Sequence, residues 1–306
     1  MTGFTPGKAM VVGGRGFLGR HIVTALTAAG FEVIETVRDG SGDAGGAVAL
    51  DLLTSPASTL RAVLDQARPT VVVNAAGAVV GTAAQLAGGN VVGPVRLLTA
   101  MAVTAPKARY VHLGSAAEYG SVALDRPVDE DDDPRPLGAY GVSKLAGTRA
   151  VLALAADAGL TASVLRIFNP VGAGSPSSTL PGRLAHLLRT VAGGQVLSVG
   201  PLDAFRDFVD VRDVAAAVLA CTDAAAAPGR IYNVGAGRAT SSRELAERLV
   251  DIAGFRGSIR EEVPSSDRSG ALASQQANID RAAAELAWSP QHDLSDSLLD
   301  LWRCAT

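Results

Sequence analysis

Short apolar runs alternate with amphipathic stretches along the chain. Residues 8–12 are apolar after Lys8 and predict a buried strand, and residues 17–29 repeat apolar side chains at helical spacing. The alternation continues with strands at 32–37 and 47–50, a helix at 55–67 opened by Pro56, and a strand at 70–74. Helical pattern then runs between 83 and 103, with Pro94 marking a kink or a late start, before a strand at 109–114. A strand as apolar as Val71-Val-Val73 suits a parallel sheet covered on both faces. The pattern predicts an α/β fold: a doubly wound parallel sheet with its ligand site at the strand carboxyl ends. A smaller C-terminal lobe is expected to hold helices at 179–192, 241–253 and 294–301. Parts near 205–222 and 230–234 are expected to return and extend the first sheet, so residues 1–166 and 167–306 form the two units.

Composition narrows the classes of function. The 306 residues are 48% apolar but only 4% aromatic, which suits an alanine- and valine-rich α/β protein. Net charge is −3 with no basic stripe, so nucleic acid is not an expected partner. No apolar run approaches membrane-spanning length and no leader pattern opens the chain, which points to a soluble, cytoplasmic protein without a membrane partner. Cys221 and Cys304 lack metal-type spacing and read as ordinary reduced thiols. His21, His112, His186 and His292 are scattered, and no metal site is predicted. The acidic, proline-containing run at 125–136 reads as a solvated loop.

The first strand leads into Gly13-Gly-Arg-Gly-Phe-Leu-Gly19, where Gly13, Gly16 and Gly19 recur every third residue. Glycine at such positions permits a tight turn, close approach of backbone to a pyrophosphate and close helix-on-strand packing. Such turns also occur without a ligand, but position after the first strand, with a second strand at 32–37, predicts a dinucleotide-binding Rossmann unit. Gly13, Arg15, Gly16, Phe17, Leu18 and Gly19 are its first binding residues. A site preferring NAD usually carries an acid after the second strand, whereas a basic residue accommodates a 2′-phosphate. Val37 and Arg38 occupy that place, and Arg15 adds a second cation, so NADP(H) is favoured, with NAD(H) open because Asp39 stands next door. Asp51 and Leu52 fall near the adenine edge, and Ala75, Ala76 and Gly77 let the cofactor lie over the strand end.

Tyr140 and Lys144 lie four apart on one helical face. A neighbouring ammonium favours the phenolate, so such a tyrosine exchanges a proton nearer neutral pH. Ser115, just after an apolar strand, is placed to hold a substrate oxygen against it. Ser115, Tyr140 and Lys144 are therefore the candidate catalytic residues.

Several motifs in order give the chain a resemblance to the extended short-chain dehydrogenase/reductases that modify nucleotide-linked sugars. They are the glycine turn, Asn90-Val-Val-Gly93, His112-Leu-Gly-Ser-Ala-Ala-Glu-Tyr-Gly120, Tyr140-Gly-Val-Ser-Lys144 and Phe168-Asn-Pro-Val-Gly-Ala-Gly174. Further matches are Arg206-Asp-Phe-Val-Asp-Val-Arg-Asp-Val214, Tyr232-Asn-Val-Gly235 and Glu285-Leu-Ala-Trp-Ser-Pro290. The resemblance implies Ser115, Tyr140 and Lys144 as the catalytic triad, with Lys144 also on the nicotinamide ribose. It implies Asn169, Arg206 and Arg268 as contacts of the substrate diphosphate, a nucleotide-sugar substrate and a homodimer. Dehydratases of this family resemble one another in acids at the positions held here by Ala117 and Ala116, so dehydration is disfavoured. Glu118 falls one position late, with its side chain expected to point elsewhere on an extended segment. The run from Val199 to Asp213 looks like that of reductases of nucleotide-linked 4-keto-6-deoxyhexoses. The reading is NADPH-dependent reduction of a keto sugar with Tyr140 as general acid. The alternatives are an NAD-dependent epimerase and a non-catalytic dinucleotide-binding sensor or scaffold.

Overall fold

The computed structural model describes residues 6–38, 46–120, 126–191, 196–223, 227–262 and 274–304. Its centre is a seven-stranded parallel sheet. The strands are β1 (Lys8–Val12), β2 (Glu32–Val37), β3 (Val48–Ala49), β4 (Val71–Asn74), β5 (Arg109–Ser115), β6 (Ala162–Ile167) and β10 (Arg230–Val234). They lie in the order β10-β6-β5-β4-β1-β2-β3, with Val11 of β1 in register with Glu35 and Val73 on its two sides. The order reverses beside β1, and the glycine turn that follows β1 sits at that switch point.

Alternate side chains of each strand feed two cores. On one face, Ala9, Val11, Val73 and Val111 meet Ile22 and Leu26 of α1 (Phe17–Ala28) and Val214 and Val218 of α7 (Val211–Ala220). On the other, Met10, Val12, Val72 and Tyr110 meet helices α2 (Ala57–Ala67), α4 (Gly93–Thr104) and α5 (Gly138–Asp157). Those helices contribute Leu60, Leu64, Leu97, Leu98, Met101 and Val151, all buried. Each such aliphatic side chain contributes about 1.5–3 kcal/mol by leaving water, which fixes the helices on the sheet.

The helical region before β5 runs without a break from α3 (Ala83–Ala87), capped by the reciprocal Thr82 and Gln85 bonds, through a π turn at Gly88–Val92 into α4. Pro94 lies in the first turn of α4, so it marks the late start rather than the interruption. This helical stretch, Ala83–Thr104, is 22 residues long and by length and composition apolar enough to cross a membrane. That corrects the reading that no run approaches such a length; in the fold, its Leu97, Leu98 and Met101 are spent on the sheet.

The smaller lobe holds a three-stranded sheet of β7 (Asn169–Val171), β9 (Phe205–Asp210) and β11 (Ala239–Ser241). A parallel pair of β8 (Val196–Val199) and β12 (Ser258–Glu261) lies beside helices α6 (Leu180–Thr190), α8 (Ser242–Ala253) and α10 (Leu294–Cys304). Residues 230–234 do pair with β6, whereas 205–210 pair with β7 and β11, because β10 occupies the sheet edge beside β6. Strand β9 instead joins the cores: Phe208 packs into the lobe and Val209 into the α1 face of the sheet.

Candidate active site

The glycine turn closes tightly on itself. Gly13 has φ +78°, and a Cβ there would come within 3.0–3.2 Å of Ala76, so the end of β1 lies directly against the end of β4. A Cβ on Gly19 would fall onto the carbonyl oxygen of Gly13. Gly16 caps α1 without a side-chain acceptor, and the first turn of α1 holds no acid, so its backbone donors suit an anion. Phe17 and Leu18 open the helix. Ala75 and Ala76 are half-buried and Gly77 is exposed above β4. Two asparagines shape this floor: Asn74 Oδ1 accepts from Ala76 N–H at 3.2 Å, while Asn90 accepts from Ala78 N–H and donates to Ala78 O at 2.9 and 2.8 Å.

The charges that bear on the cofactor are more mixed than the sequence reading had them. Arg15 and Arg38 are exposed, Arg38 directly after β2. Glu35, inside β2 and not weighed from the sequence, lies against the turn; a Cβ on Gly14 would meet its carboxylate at 3.1 Å. Asp39 lies outside the described residues. Asp51 turns its carboxylate on its own loop, accepting from Leu53 and Thr54 N–H at 2.7 and 3.2 Å. Leu52 is buried, and its carbonyl takes a bond from Arg96 at 2.6 Å.

The candidate residues Ser115, Tyr140 and Lys144 are carried by β5 and α5. Ser115 ends β5, half-buried, and caps a single 3-10 turn at Ala116–Glu118. Tyr140 lies half-buried in the first turn of α5. Gly141 lets that turn approach: a Cβ there would sit 2.6 Å from Ala117 O. Lys144, one turn on, is buried and donates from Nζ to Leu113 O at 2.5 Å, which ties the helix to the strand carrying Ser115. Burial pushes the Lys144 ammonium below its ordinary pKa, and the Glu118 carboxylate opposes that. His112 is buried beside Lys144 and pushed well below its ordinary pKa by burial and by that cation, so its ring is neutral.

Glu118 is not on an extended segment, which corrects the sequence reading. The 3-10 turn swings it inward, where it is fully buried and paired with Arg166 of β6 at 3.0 Å. The acidic loop needs a second correction. Glu130 is buried and accepts from Asn233 N–H at 2.7 Å, so part of that run is an internal anchor rather than a solvated loop.

In the lobe, Asn169 donates to Asp207 O at 3.0 Å, and Arg206 is buried with Nη1 donating to Phe205 O at 2.8 Å. Arg268 lies outside the described residues. Two side chains of α1 reach the loop after β7: Arg20 donates to Gly174 O at 2.7 Å and His21 Nε2 lies 3.0 Å from Ala173 O. The helix that follows the glycine turn is thereby bonded to the smaller lobe.

Residues 9–235 match the model of the NAD dependent epimerase/dehydratase family. The chain belongs to this family. A relative from Kitasatospora kifunensis, dTDP-6-deoxy-L-talose 4-dehydrogenase (NAD(P)(+)), is 39% identical over 305 residues, covering 97% of this chain and 95% of the relative. Among solved structures, MoeE5 in complex with UDP-glucuronic acid and NAD superposes with TM-score 0.84 at 28% identity, covering 97% of this chain and 98% of the other. RMD from Pseudomonas aeruginosa complexed with NADPH superposes with TM-score 0.82 at 26% identity over the same shares. These members of the extended short-chain dehydrogenase/reductase group bind NAD or NADPH.

Proposed function

We propose that this member of the epimerase/dehydratase family reduces the keto group of a nucleotide-linked 4-keto-6-deoxyhexose. The reading is carried by the buried Lys144, anchored on Leu113 O next to Tyr140 and Ser115, with alanine at 116 and 117. Gly13, Gly16, Gly19, Ala75, Ala76 and the start of α1 would hold the dinucleotide. When bound, the reduced nicotinamide supplies a hydride to the carbonyl carbon. Ser115 Oγ holds the carbonyl oxygen, and Tyr140 gives that oxygen its proton. The Lys144 ammonium stabilises the phenolate that is left. Alanine at 116 and 117 has no proton to exchange, which disfavours loss of water. The Kitasatospora relative supports the choice, since a 4-dehydrogenase of a 6-deoxysugar run backwards is a 4-keto reductase. Arg206, with Asn169 and Arg268, would take the diphosphate, as guanidinium matches phosphate oxygens bidentately.

Arg15 and Arg38 favour NADP(H), because a 2′-phosphate adds negative charge where two cations are exposed. Glu35 beside Gly14 favours the second reading, an epimerase that retains NAD, since a carboxylate suits ribose hydroxyls.

The test mixes purified protein, a dTDP-4-keto-6-deoxyhexose and NADPH. One NADPH is consumed per sugar reduced, and Tyr140→Phe lowers turnover by about 10²–10⁴ while binding NADPH nearly as the parent does. Strong residual turnover removes Tyr140 from the acid role. Interconversion of sugar stereoisomers without net cofactor oxidation makes the enzyme an epimerase.

A further inference from the structure

The buried Glu118 carboxylate touches the elements that carry the three candidate catalytic residues. Glu118 Oε1 accepts from the N–H of Ser115 at 2.9 Å and from the hydroxyl of Thr148 at 3.0 Å. Thr148 follows Tyr140 and Lys144 at intervals of four on α5, so all three share one helical stripe. Glu118 Oε2 accepts from Arg166 Nε of β6 at 3.0 Å, and Arg166 in turn donates to Glu130 O and lies over the Tyr119 ring at 4.4 Å. Both partners of the ion pair are buried, at 0% and 3% side-chain exposure. One carboxylate oxygen thus joins the strand end holding Ser115 to the helix holding Tyr140 and Lys144, and the other ties both to the sheet.

We propose that Glu118 is a positioning residue for the Ser115, Tyr140 and Lys144 site, fixing the spacing of strand β5 and helix α5. The proposal rests on the reading that these three residues do the chemistry. The sequence carried a signal for it: Ser115-x-x-Glu118 is the reciprocal capping pattern, and both of its bonds form here. The charges around Glu118 are few. Arg166 faces it from β6 and Lys144 from α5; Tyr119 follows it in the chain, Glu130 acts on the same phenol, and neutral His112 lies beyond Lys144. The Glu118 carboxylate raises the Lys144 ammonium against the effect of burial, so removing its charge lowers the pH at which Lys144 loses its proton.

The experiment compares the parent with Glu118→Gln, with Glu118→Gln/Arg166→Gln and with Thr148→Val. The double variant avoids leaving Arg166 buried without its carboxylate. Turnover is measured against pH, and Lys144 is titrated directly by NMR of protein carrying ¹³Cε-lysine. The chain has only three lysines, Lys8, Lys107 and Lys144, and Lys144→Arg assigns the signal. In the two Gln variants, kcat is expected to fall by about 10–100-fold, since small misplacements of reacting groups cost on this order. In Glu118→Gln the basic limb of the pH profile and the Lys144 midpoint both move to lower pH, and in the double variant, which removes one charge of each sign, they move less. Thr148→Val loses up to about tenfold in kcat with the Lys144 midpoint unmoved, because the charge remains. A folded Glu118→Gln or double variant with kcat within twofold of the parent and an unmoved Lys144 midpoint overturns the proposal. Loss of turnover in Glu118→Gln with an unmoved midpoint assigns Glu118 a purely structural part and overturns its action on Lys144. If the parent reduces no keto sugar, the functional reading falls, while the lysine titration still decides whether Glu118 sets the state of Lys144.

Discussion

Gly16 and Gly19 separate the part of the glycine turn that holds a ligand from the part that holds the fold. Gly19 lies inside α1, and a Cβ there falls onto Gly13 O with the carbonyl carbons of Gly13 and Gly14 each at 2.9 Å. Every neighbour is backbone, so nothing can rotate away and the helix must lift from the turn. Overpacking of this kind costs about 1–3 kcal/mol, and backbone on all sides puts Gly19→Ala near the upper figure. At about 2 °C per kcal/mol for a long chain, Tm falls by roughly 6 °C. Gly16 is different: its φ is −69°, ordinary for any residue, and its Cβ would have a single neighbour, Gly13 O at 3.1 Å. Gly16→Ala should leave stability within about 1 kcal/mol, the gain in chain entropy offsetting the tight contact. Its methyl group, however, stands where a pyrophosphate must approach the α1 donors. Loss of one charge-assisted hydrogen bond is worth about 1.5–3 kcal/mol, so the Kd for NADPH rises by about 10–150-fold. Thermal denaturation and NADPH fluorescence titration measure the two effects on the same samples. Parent-like NADPH affinity in Gly16→Ala, or parent-like Tm in Gly19→Ala, would refute the division.

Three further outcomes follow from particular contacts. Burial raises the Asp207 carboxyl from 3.8 to about 6, against the opposing bonds from Ala277 and Ala236 N–H. The native state then holds this proton more tightly than the unfolded chain. Its stabilising contribution is present below the unfolded value and is lost as pH rises through about 6, at up to about 1.4 kcal/mol per unit. In chemical denaturation between those limits, the stability of the parent relative to Asp207→Asn declines as pH rises, and a flat or rising difference contradicts the assignment. Arg20→Ala removes the bond to Gly174 O and should speed amide hydrogen exchange across residues 172–175 without altering exchange in β1. Val103 of α4 and Val142 of α5 are 64% and 53% exposed apolar side chains; if a second copy of the chain covers them, Val103→Glu/Val142→Glu sediments as a monomer where the parent sediments as a dimer.

The nucleotide half was legible because each of its elements is long or strongly patterned. Strand β4 is four consecutive buried residues, and Leu60, Leu64 and Ala67 of α2 return on one helical face. The lobe was harder, since β7 and β11 have three residues each, too short to carry a period, and β9 shares its residues between two cores. The site residues that escaped notice are those whose partners lie far away in the chain. Asn90 finds Ala78 and Ser143, 12 and 53 residues distant, and Glu130 finds Asn233 across 103. Glu118 is hidden for another reason: the sequence pattern predicts an extended segment after β5, and a 3-10 turn aims the side chain differently from a strand.

Several places where the chain departs from local preference lie together. Helix α5 carries Gly141 and Gly147 in its body, each costing about 0.5–1 kcal/mol relative to alanine. A Cβ at the first would press on Ala117 O, and one at the second would fall onto Asn90 O, so both glycines exist to let α5 lie close. The π turn at Gly88–Val92 is the same kind of departure, and it is what faces Asn90 inward to meet Ala78 and Ser143. Lys144 is a buried cation, and Glu118 and Arg166 a buried ion pair, all unfavourable to bury unless geometry demands them. Packing alone would have chosen alanine, an unbroken α-helix and leucine at these positions. These costs meet between the end of β5 and one face of α5, where the proposed roles of Ser115, Tyr140 and Lys144 would use them, and a scaffold or sensor that only held a dinucleotide would have no use for them.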